Sequence, residues 1–207
     1  MRTKGKFKIQ RALGVELPGL GNKKAKGPLS KRPYLPGFHG QGRKKASEYG
    51  VRLKEKQKLR FHYGLKEHQL LNYISKSKRK ASNWFVVLTQ TLECRLDNVI
   101  FRLGFAPSIA SARQMVRHGG VFVDDKKVDI PSYIVTLGSK ISLKDKIYEN
   151  VHFQKTRKEP TLELPHFLNI EGKDKKETGE LTKLPQVDDI PFEINSQFII
   201  EFYGKVK

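Results

Sequence analysis

The sequence predicts an α+β fold: a largely helical first half, then a small group of antiparallel strands that follows two short helices near the centre of the chain. Two observations support this prediction. Between residues 96 and 103 the apolar side chains recur every three or four positions, as on one buried helical face, at Leu96, Val99, Ile100 and Leu103. After residue 120 the period changes to the alternation that is typical of short strands.

The two central helices have recognisable ends. Gly104 ends the first helix, since glycine readily adopts the left-handed conformation that follows a helix. Ser108 stands where a side-chain oxygen caps a second helix, and Gly119 with Gly120 closes it. The apolar face of this second helix comprises Ile109, Ala112 and Val116. The arginines that lie off the two apolar faces are Arg95, Arg102, Arg113 and Arg117.

Four short strands are predicted after these helices, at residues 121–123, 127–130, 134–135 and 140–143. Asp124 and Asp125 are the turn candidates of a hairpin between the first two strands. Beyond Leu143 the pattern indicates loops and short strands. Near the C-terminus, Asn195 can cap a last helix, and a strand is the competing interpretation.

The first half of the chain is predicted to contain three helices. The first covers residues 46–63 with Ser47 as its cap, the second covers 65–80, and a third begins after Asn83. Trp84 is interpreted as a core residue of the third helix, because it lies one helical turn before Leu88. Residues 1–42 are rich in glycine, proline and lysine, so we expect a basic, extended N-terminal arm.

The charge of the chain favours nucleic acid as a partner. Its 207 residues carry 41 Lys+Arg against 21 Asp+Glu, a formal net charge of +20. Residues 1–60 hold 18 of the basic and only 3 of the acidic residues, a net charge of +15. No apolar run approaches the length of a membrane span, and we expect no signal peptide. The one cysteine, Cys94, excludes an intramolecular disulfide.

Three segments of the central stretch carry a family resemblance. Residues 95–99, 112–120 and 128–133 resemble, in order and spacing, the small RNA-binding module named after the fourth protein of the bacterial small ribosomal subunit. The family usually has Asn-Gly in the hairpin, where this chain has Asp124 and Asp125. Because aspartate tolerates left-handed turns less well, we expect a longer or distorted loop there.

A second resemblance covers the first half of the chain. Residues 36–40, 48–58 and 63–64 are similar to the N-terminal half of that ribosomal protein itself, which the enzymes that carry the module as an accessory do not have. Phe167 and Gln186 depart from the tryptophan and arginine that the family usually has there. No cysteine precedes Cys94, so the chain resembles the metal-free branch of the family, and we expect no metal and no cofactor.

The resemblance implies a domain organisation. Residues 1–42 form the basic arm, residues 43–93 form a helical RNA-binding lobe that residues 175–207 complete, and residues 94–174 form the inserted RNA-binding module. It also implies a function: a structural, non-enzymatic protein of the small subunit that binds 16S-type rRNA early, nucleates assembly and contributes to decoding accuracy. The implied partners are the fifth and twelfth small-subunit proteins and messenger RNA where it enters the subunit. The implied location is the ribosome in the cytoplasm, with an organellar ribosome as an alternative.

The candidate RNA-binding residues form two groups, chosen because lysine and arginine contact phosphates and release their counterions. The first group, in the helical lobe, comprises Arg43, Lys44, Lys45, Arg52, Lys56, Lys58 and Arg60. The second group, in the module, comprises Arg95, Arg102, Arg113, Gln114, Arg117 and His118.

Two other functions are alternative hypotheses. An RNA-modifying enzyme can carry the same module, but the residues outside the module and the arm are few for a catalytic domain. The acid of such an enzyme would be Asp97, although its position in an amphipathic helix beside Arg95 favours an ion pair or a helix cap. A non-ribosomal protein that rescues stalled subunits would share the module and need no helical lobe.

Overall fold

The computed structural model describes residues 5–21, 27–42, 47–172 and 177–204. The chain divides into two compact units, Met1–Ile74 together with Ile190–Lys207, and Ser75–Asp189. The helices of the described residues are, in chain order, α1 (Lys6–Leu13), α2 (Pro28–Lys31), α3 (Glu48–His62), α4 (Glu67–Lys80), α5 (Trp84–Glu93), α6 (Leu96–Arg102), α7 (Ile109–Arg117), α8 (Asp145–Tyr148), α9 (Val151–Lys158) and α10 (Ser196–Gly204). The strands are β1 (Val121–Val123), β2 (Lys126–Lys127), β3 (Lys140–Leu143), β4 (Leu168–Glu171) and β5 (Thr178–Leu181).

The first unit is helical, and α3 packs against both α1 and α10. The Ser47 hydroxyl accepts a hydrogen bond from the Gly50 amide at 3.1 Å, which confirms the predicted cap of α3. The predicted last helix is also confirmed, since the Phe198 amide donates to Asn195 Oδ1 at 3.3 Å at the start of α10. The competing interpretation of this segment as a strand is wrong.

The prediction of an extended arm over residues 1–42 is wrong in part, because α1 and α2 lie within it. Gln10 explains how so polar a segment folds. Its side-chain oxygen accepts from the Leu17 amide at 2.9 Å, while its side-chain nitrogen donates to the Leu20 carbonyl at 3.2 Å. Leu13 and Leu17 are buried beside it. One glutamine therefore folds the chain after α1 back toward the helix.

The second unit contains one antiparallel five-stranded sheet with the order β2-β1-β3-β5-β4. Its core joins the apolar faces of α6 and α7 to the inward residues of the strands, Val121, Val123, Ile141, Leu143 and Leu181. Gly104 and Gly119 have φ angles of 73° and 66° at the ends of the two helices, as predicted. The Ser108 hydroxyl accepts from the Ser111 amide at 3.2 Å and so caps α7 as predicted. Trp84 is buried in α5, which confirms it as a core residue.

The predicted third strand does not form, because Ile134 makes only an isolated bridge with Arg95. This segment is fastened to the start of α6 instead: the Leu96 amide donates to the Tyr133 carbonyl at 2.8 Å, and the Asp97 amide donates to the Pro131 carbonyl at 3.1 Å. The first amides of α6, which have no partner within the helix, are thus satisfied by residues just before the predicted strand. The helices α8 and α9 lie in a region for which the sequence indicated only loops and strands.

The hairpin between β1 and β2 corrects another prediction. Val123 pairs with Lys126, so the turn contains only Asp124 and Asp125 and is neither long nor distorted. Both aspartates have positive φ angles, 48° and 61°, as a type I′ turn requires. Asp124 is held in this conformation because its Oδ1 accepts from the Lys140 amide at 2.8 Å.

Replacing Asp125 by glycine is therefore expected to raise the free energy of unfolding by about 0.5–1 kcal/mol, since glycine adopts a positive φ without steric cost. Urea denaturation of the two proteins measures this difference. The Asp124→Ala variant is the matched comparison. It keeps the strain and loses the bond to Lys140, so it should be less stable than the wild type. Equal stability of Asp125→Gly and wild type would contradict the assignment of strain to this turn.

Cys94 is a buried core residue, as predicted, with 4% of its surface exposed. Burial raises the pKa of its thiol to about 11, and the negative charge of Glu93 acts in the same direction. The thiolate, which is the reactive form, is therefore scarce in the folded protein at neutral pH.

We expect Cys94 to resist alkylation by iodoacetamide at pH 8 until denaturant unfolds the chain. The unfolded thiol ionises at lower pH than the folded thiol. The contribution of Cys94 to the stability of the folded protein therefore decreases between about pH 9 and pH 11. Mass spectrometry of the alkylated protein across a urea titration measures the first effect. Labelling that is complete in the absence of urea would contradict it.

Candidate RNA-binding surface

The arginines of the module are organised by a buried carboxylate. The Asp97 side chain is fully buried and accepts from Arg95 at both oxygens, at 3.0 Å from Nε and 2.7 Å from Nη2. Its Oδ2 also accepts from Arg113 Nε at 2.6 Å, which joins α6 to α7. The predicted ion pair of Asp97 is confirmed. About a quarter of the Arg113 side chain is exposed, and its contact with the buried Asp97 carboxylate fixes its position.

A second buried carboxylate performs the same role for Arg102. Glu93 is fully buried, and its Oε2 accepts from Arg102 Nε at 3.1 Å and from Asn98 Nδ2 at 2.8 Å. Arg102 also donates to the Asp189 carbonyl and lies over the ring of Phe167. Phe167 thus packs beneath a guanidinium at the position where the family usually has tryptophan.

The expectation that Arg95 and Arg102 lie off the buried faces is wrong, because they are only 4% and 5% exposed. Sequence spacing placed both arginines away from the apolar helix faces. It could not show that buried carboxylates pair with them in the interior. Arg102 joins α6 to Glu93 of α5, and Arg95 pairs with Asp97 at the start of α6. The two arginines leave little charge at the surface for a phosphate to contact.

The cations of α3 are also largely neutralised within the first unit. Arg52 contacts Glu48 at 3.2 Å and Glu201 at 2.6 Å. Lys56 and Lys58 are buried, with Lys56 2.8 Å from Glu67 and Lys58 2.6 Å from Glu55. Arg60 lies 3.8 Å from Glu67 and stacks over Phe61.

Basic residues are spread around much of the circumference of α3, which suggests a helix that gains little from packing, but its ion pairs with Glu67 and Glu201 show that this expectation is wrong. Lys56 and Lys58 are buried, and their ammonium groups contact carboxylates. Glu55 shows how closely the helix is integrated, because its second oxygen accepts from the Asn195 amide at 3.0 Å, just before α10. Arg43, Lys44 and Lys45, the other residues of this group, lie outside the described residues.

The exposed part of the predicted module surface lies at the end of α7. Gln114, Arg117 and His118 are exposed there, and no carboxylate of the described residues pairs with Arg117 or His118. A cation near a helix C-terminus is also stabilised by the helix dipole. These three residues are the members of the predicted module group that a phosphate can reach directly.

A basic cluster at the end of α4 was not among the predicted site residues. This α4 cluster comprises Lys76, Lys78, Arg79 and Lys80, all of which are exposed. Lys78 Nζ lies 5.7 Å from the centroid of the Trp84 ring. Lys76, Arg79 and Lys80 have no ion pair within the part of the chain that the structure describes. Four cations in five residues were visible in the sequence, but only the contrast with the neutralised cations of α3 distinguishes them.

No group of three or more histidine, cysteine or acidic side chains that could hold a metal ion occurs within residues 5–21, 27–42, 47–172 and 177–204. Over the same residues, every helix is too short or too polar to cross a membrane. The features that remain are exposed cations on helix ends, carried by a compact α+β unit. Such a surface defines a class of protein, the basic RNA-binding proteins that recognise a folded polyanion through phosphate contacts.

Comparison with known proteins places the chain within that class. Residues 94–141 match the family model described as the S4 domain, and residues 2–93 match the ribosomal protein S4/S9 N-terminal domain. The small ribosomal subunit protein uS4B of Bdellovibrio bacteriovorus is 49% identical to this chain over 99% of both chains. The corresponding proteins of Nitrosomonas europaea and Leuconostoc citreum are each 41% identical, over 98% and 99% of this chain and 97% and 98% of their own.

The chain belongs to the ribosomal S4 family, whose members are structural, non-enzymatic ribosomal proteins. The hypothesis of an RNA-modifying enzyme is therefore not retained. The hypothesis of a rescue protein without a helical lobe is not supported either, because the match includes the whole N-terminal half.

Proposed function

We propose that this protein binds 16S-type rRNA directly and early, nucleates assembly of the small subunit and contributes to the accuracy of decoding. The observation that carries the proposal is the separation of its cations into two kinds. One kind is neutralised inside the protein by carboxylates, and the other, at the ends of α4 and α7, is exposed in a chain of the ribosomal S4 family. Exposed cations on rigid helix ends suit a folded RNA that is recognised by the positions of its phosphates.

The family resemblance supports further proposals about the partners and the location. We propose that the protein contacts the fifth and twelfth small-subunit proteins and messenger RNA where it enters the subunit. We also place it on cytoplasmic ribosomes. Arg43, Lys44 and Lys45 remain proposed RNA contacts, because the sequence around them contains no acidic residue from position 17 to position 47. Arg52 and Arg60 can add to this surface only with the part of their charge that Glu48, Glu201 and Glu67 leave uncompensated.

Chemical footprinting of protein-free small-subunit rRNA tests the proposal. A primary binder should protect a defined set of nucleotides with no other protein present. An unrelated transcript of the same length should compete poorly with small-subunit rRNA for the protein. Filter binding of both RNAs across a salt titration gives the ratio of the two affinities. Equal affinity for the two RNAs at moderate ionic strength would overturn the proposed primary role.

A further inference from the structure

A turn in the first unit presents an aromatic side chain almost entirely to solvent. Phe38 is 97% exposed, and the ring of His39 meets it edge to face with 5.0 Å between the centroids. A single exposed apolar residue is common on protein surfaces and needs no explanation by itself. Here three further observations, concerning the turn, its attachment and its charge, point to a ligand.

The turn has a backbone that only its glycines permit. Gly37 has a φ angle of 110°, which side-chain-bearing residues rarely adopt. A Cβ atom on Gly40 would lie 1.8 Å from the Leu35 carbonyl oxygen. Two backbone hydrogen bonds close the turn, from the Gly40 amide to the Gly37 carbonyl and from the Gly42 amide to the His39 carbonyl. Phe38 is therefore held outward before any ligand arrives, which lowers the entropic cost of binding.

Arg11 of α1 attaches the base of this turn to the folded unit. Its Nε donates to the Tyr34 carbonyl at 2.9 Å and its Nη2 to the Leu35 carbonyl at 3.1 Å, while its guanidinium lies 4.8 Å from the Tyr34 ring centroid. These partners are neutral. The charge of Arg11 is thus uncompensated by any carboxylate among the described residues, and it adds to the positive potential at the turn.

The sequence on either side of the turn is also basic. Residues 17–47 contain eight lysines and arginines and no aspartate or glutamate. An apolar protein pocket would gain nothing from this charge. A single-stranded nucleic acid uses both features, since its backbone is anionic and every base offers a flat face to an aromatic ring.

We infer that Phe38, braced by His39, is a stacking platform for an unpaired RNA base, an inference that rests on the proposed binding of rRNA. The base stacks on the exposed ring while the neighbouring cations hold the phosphates on either side. The contact is sequence-tolerant, because stacking needs only a π face. Phe38 thereby adds affinity that salt does not screen.

Substitutions at position 38 test this inference. Phe38→Leu keeps an apolar side chain and removes the ring, so binding of small-subunit rRNA should weaken by roughly 5- to 150-fold, the equivalent of about 1–3 kcal/mol for one stacked base. Phe38→Trp should bind as tightly as the wild type or more tightly. The slope of affinity against salt should stay the same in all three proteins, since none of them changes a charge. Tyr49→Leu removes another exposed ring of the same unit, one that already packs on Phe202, and should leave RNA affinity unchanged.

Two RNAs keep the outcomes distinct. The same proteins are titrated with small-subunit rRNA and with an unstructured oligouridylate, and thermal unfolding confirms that each variant is folded. Equal affinity of Phe38→Leu and wild type for both RNAs would overturn the stacking platform and favour a protein pocket as the partner of Phe38. A different pair of results would support the stacking platform and overturn the proposed function: Phe38→Leu loses affinity for oligouridylate, and the wild-type protein shows no preference for small-subunit rRNA.

Discussion

Replacing Asp97 by alanine is expected to lower the free energy of unfolding by about 3–5 kcal/mol. The substitution removes the fully buried carboxylate that accepts from Arg95 and Arg113, and with it the negative charge that lies 2.7 Å from the buried Arg95 guanidinium. Uncompensated buried charges are among the few causes of so large an effect in a single substitution. The substitution also removes the contact of Asp97 with Arg113 that joins α6 to α7.

Urea denaturation followed by circular dichroism measures the change for Asp97→Ala. Asp129→Ala is the matched control, because Asp129 is an exposed aspartate of the same unit and its loss should change the free energy of unfolding by no more than about 0.5 kcal/mol. A loss below 1 kcal/mol for Asp97→Ala would show that water replaces the carboxylate and that the network is weaker than its geometry indicates.

Neutralising most of the α4 cluster is expected to weaken RNA binding strongly and to change its salt dependence. In the triple variant Lys76→Gln, Arg79→Gln and Lys80→Gln, the slope of log affinity against log salt should fall by roughly 2–3, close to one per lost phosphate contact. At physiological salt this corresponds to roughly 100-fold weaker binding of small-subunit rRNA. Lys78 is left in place because it lies over Trp84, so the core beneath the cluster is not disturbed.

Single substitutions separate this effect from a general loss of charge. Arg79→Gln and Lys140→Gln each remove one cation from the second unit, but Lys140 Nζ already lies 3.6 Å from Glu171. The salt slope should fall by about one for Arg79→Gln and by much less for Lys140→Gln. Similar slopes for the two variants would mean that affinity depends on net charge alone and that the α4 cluster has no special role.

Arg113 is less suitable for such a test than the sequence suggested. Arg113 Nε lies 2.6 Å from Asp97 Oδ2, so a charge reversal at Arg113 would bring a second carboxylate close to Asp97. This repulsion would destabilise the module whatever the effect on RNA binding. Arg117 stands one turn later on α7, is exposed and has no carboxylate partner in the described part of the chain. Changes at Arg117 therefore report on RNA binding more directly.

Much of the local structure was predictable from the sequence because local signals carry it. Ser47, Ser108 and Asn195 cap helices where their side chains predicted it, and Gly104 and Gly119 end α6 and α7. The predictions failed where a partner from elsewhere in the chain decides the conformation. The Lys140 backbone stabilises the tight turn of Asp124 and Asp125. The segment of the predicted third strand makes only an isolated bridge with Arg95, and the amides of α6 bond the carbonyls of residues 131 and 133 just before it.

The sequence by itself determined the excess of positive charge, the positions of most helices and the resemblance to the ribosomal S4 family. Only the tertiary structure decided which cations are available to RNA. Arg52 meets Glu201, 149 residues away, and Arg102 meets Glu93 in the interior. Helical periodicity shows which side of a helix a residue is on, but the charge that remains at the surface depends on which carboxylates the fold brings within hydrogen-bond distance of each cation.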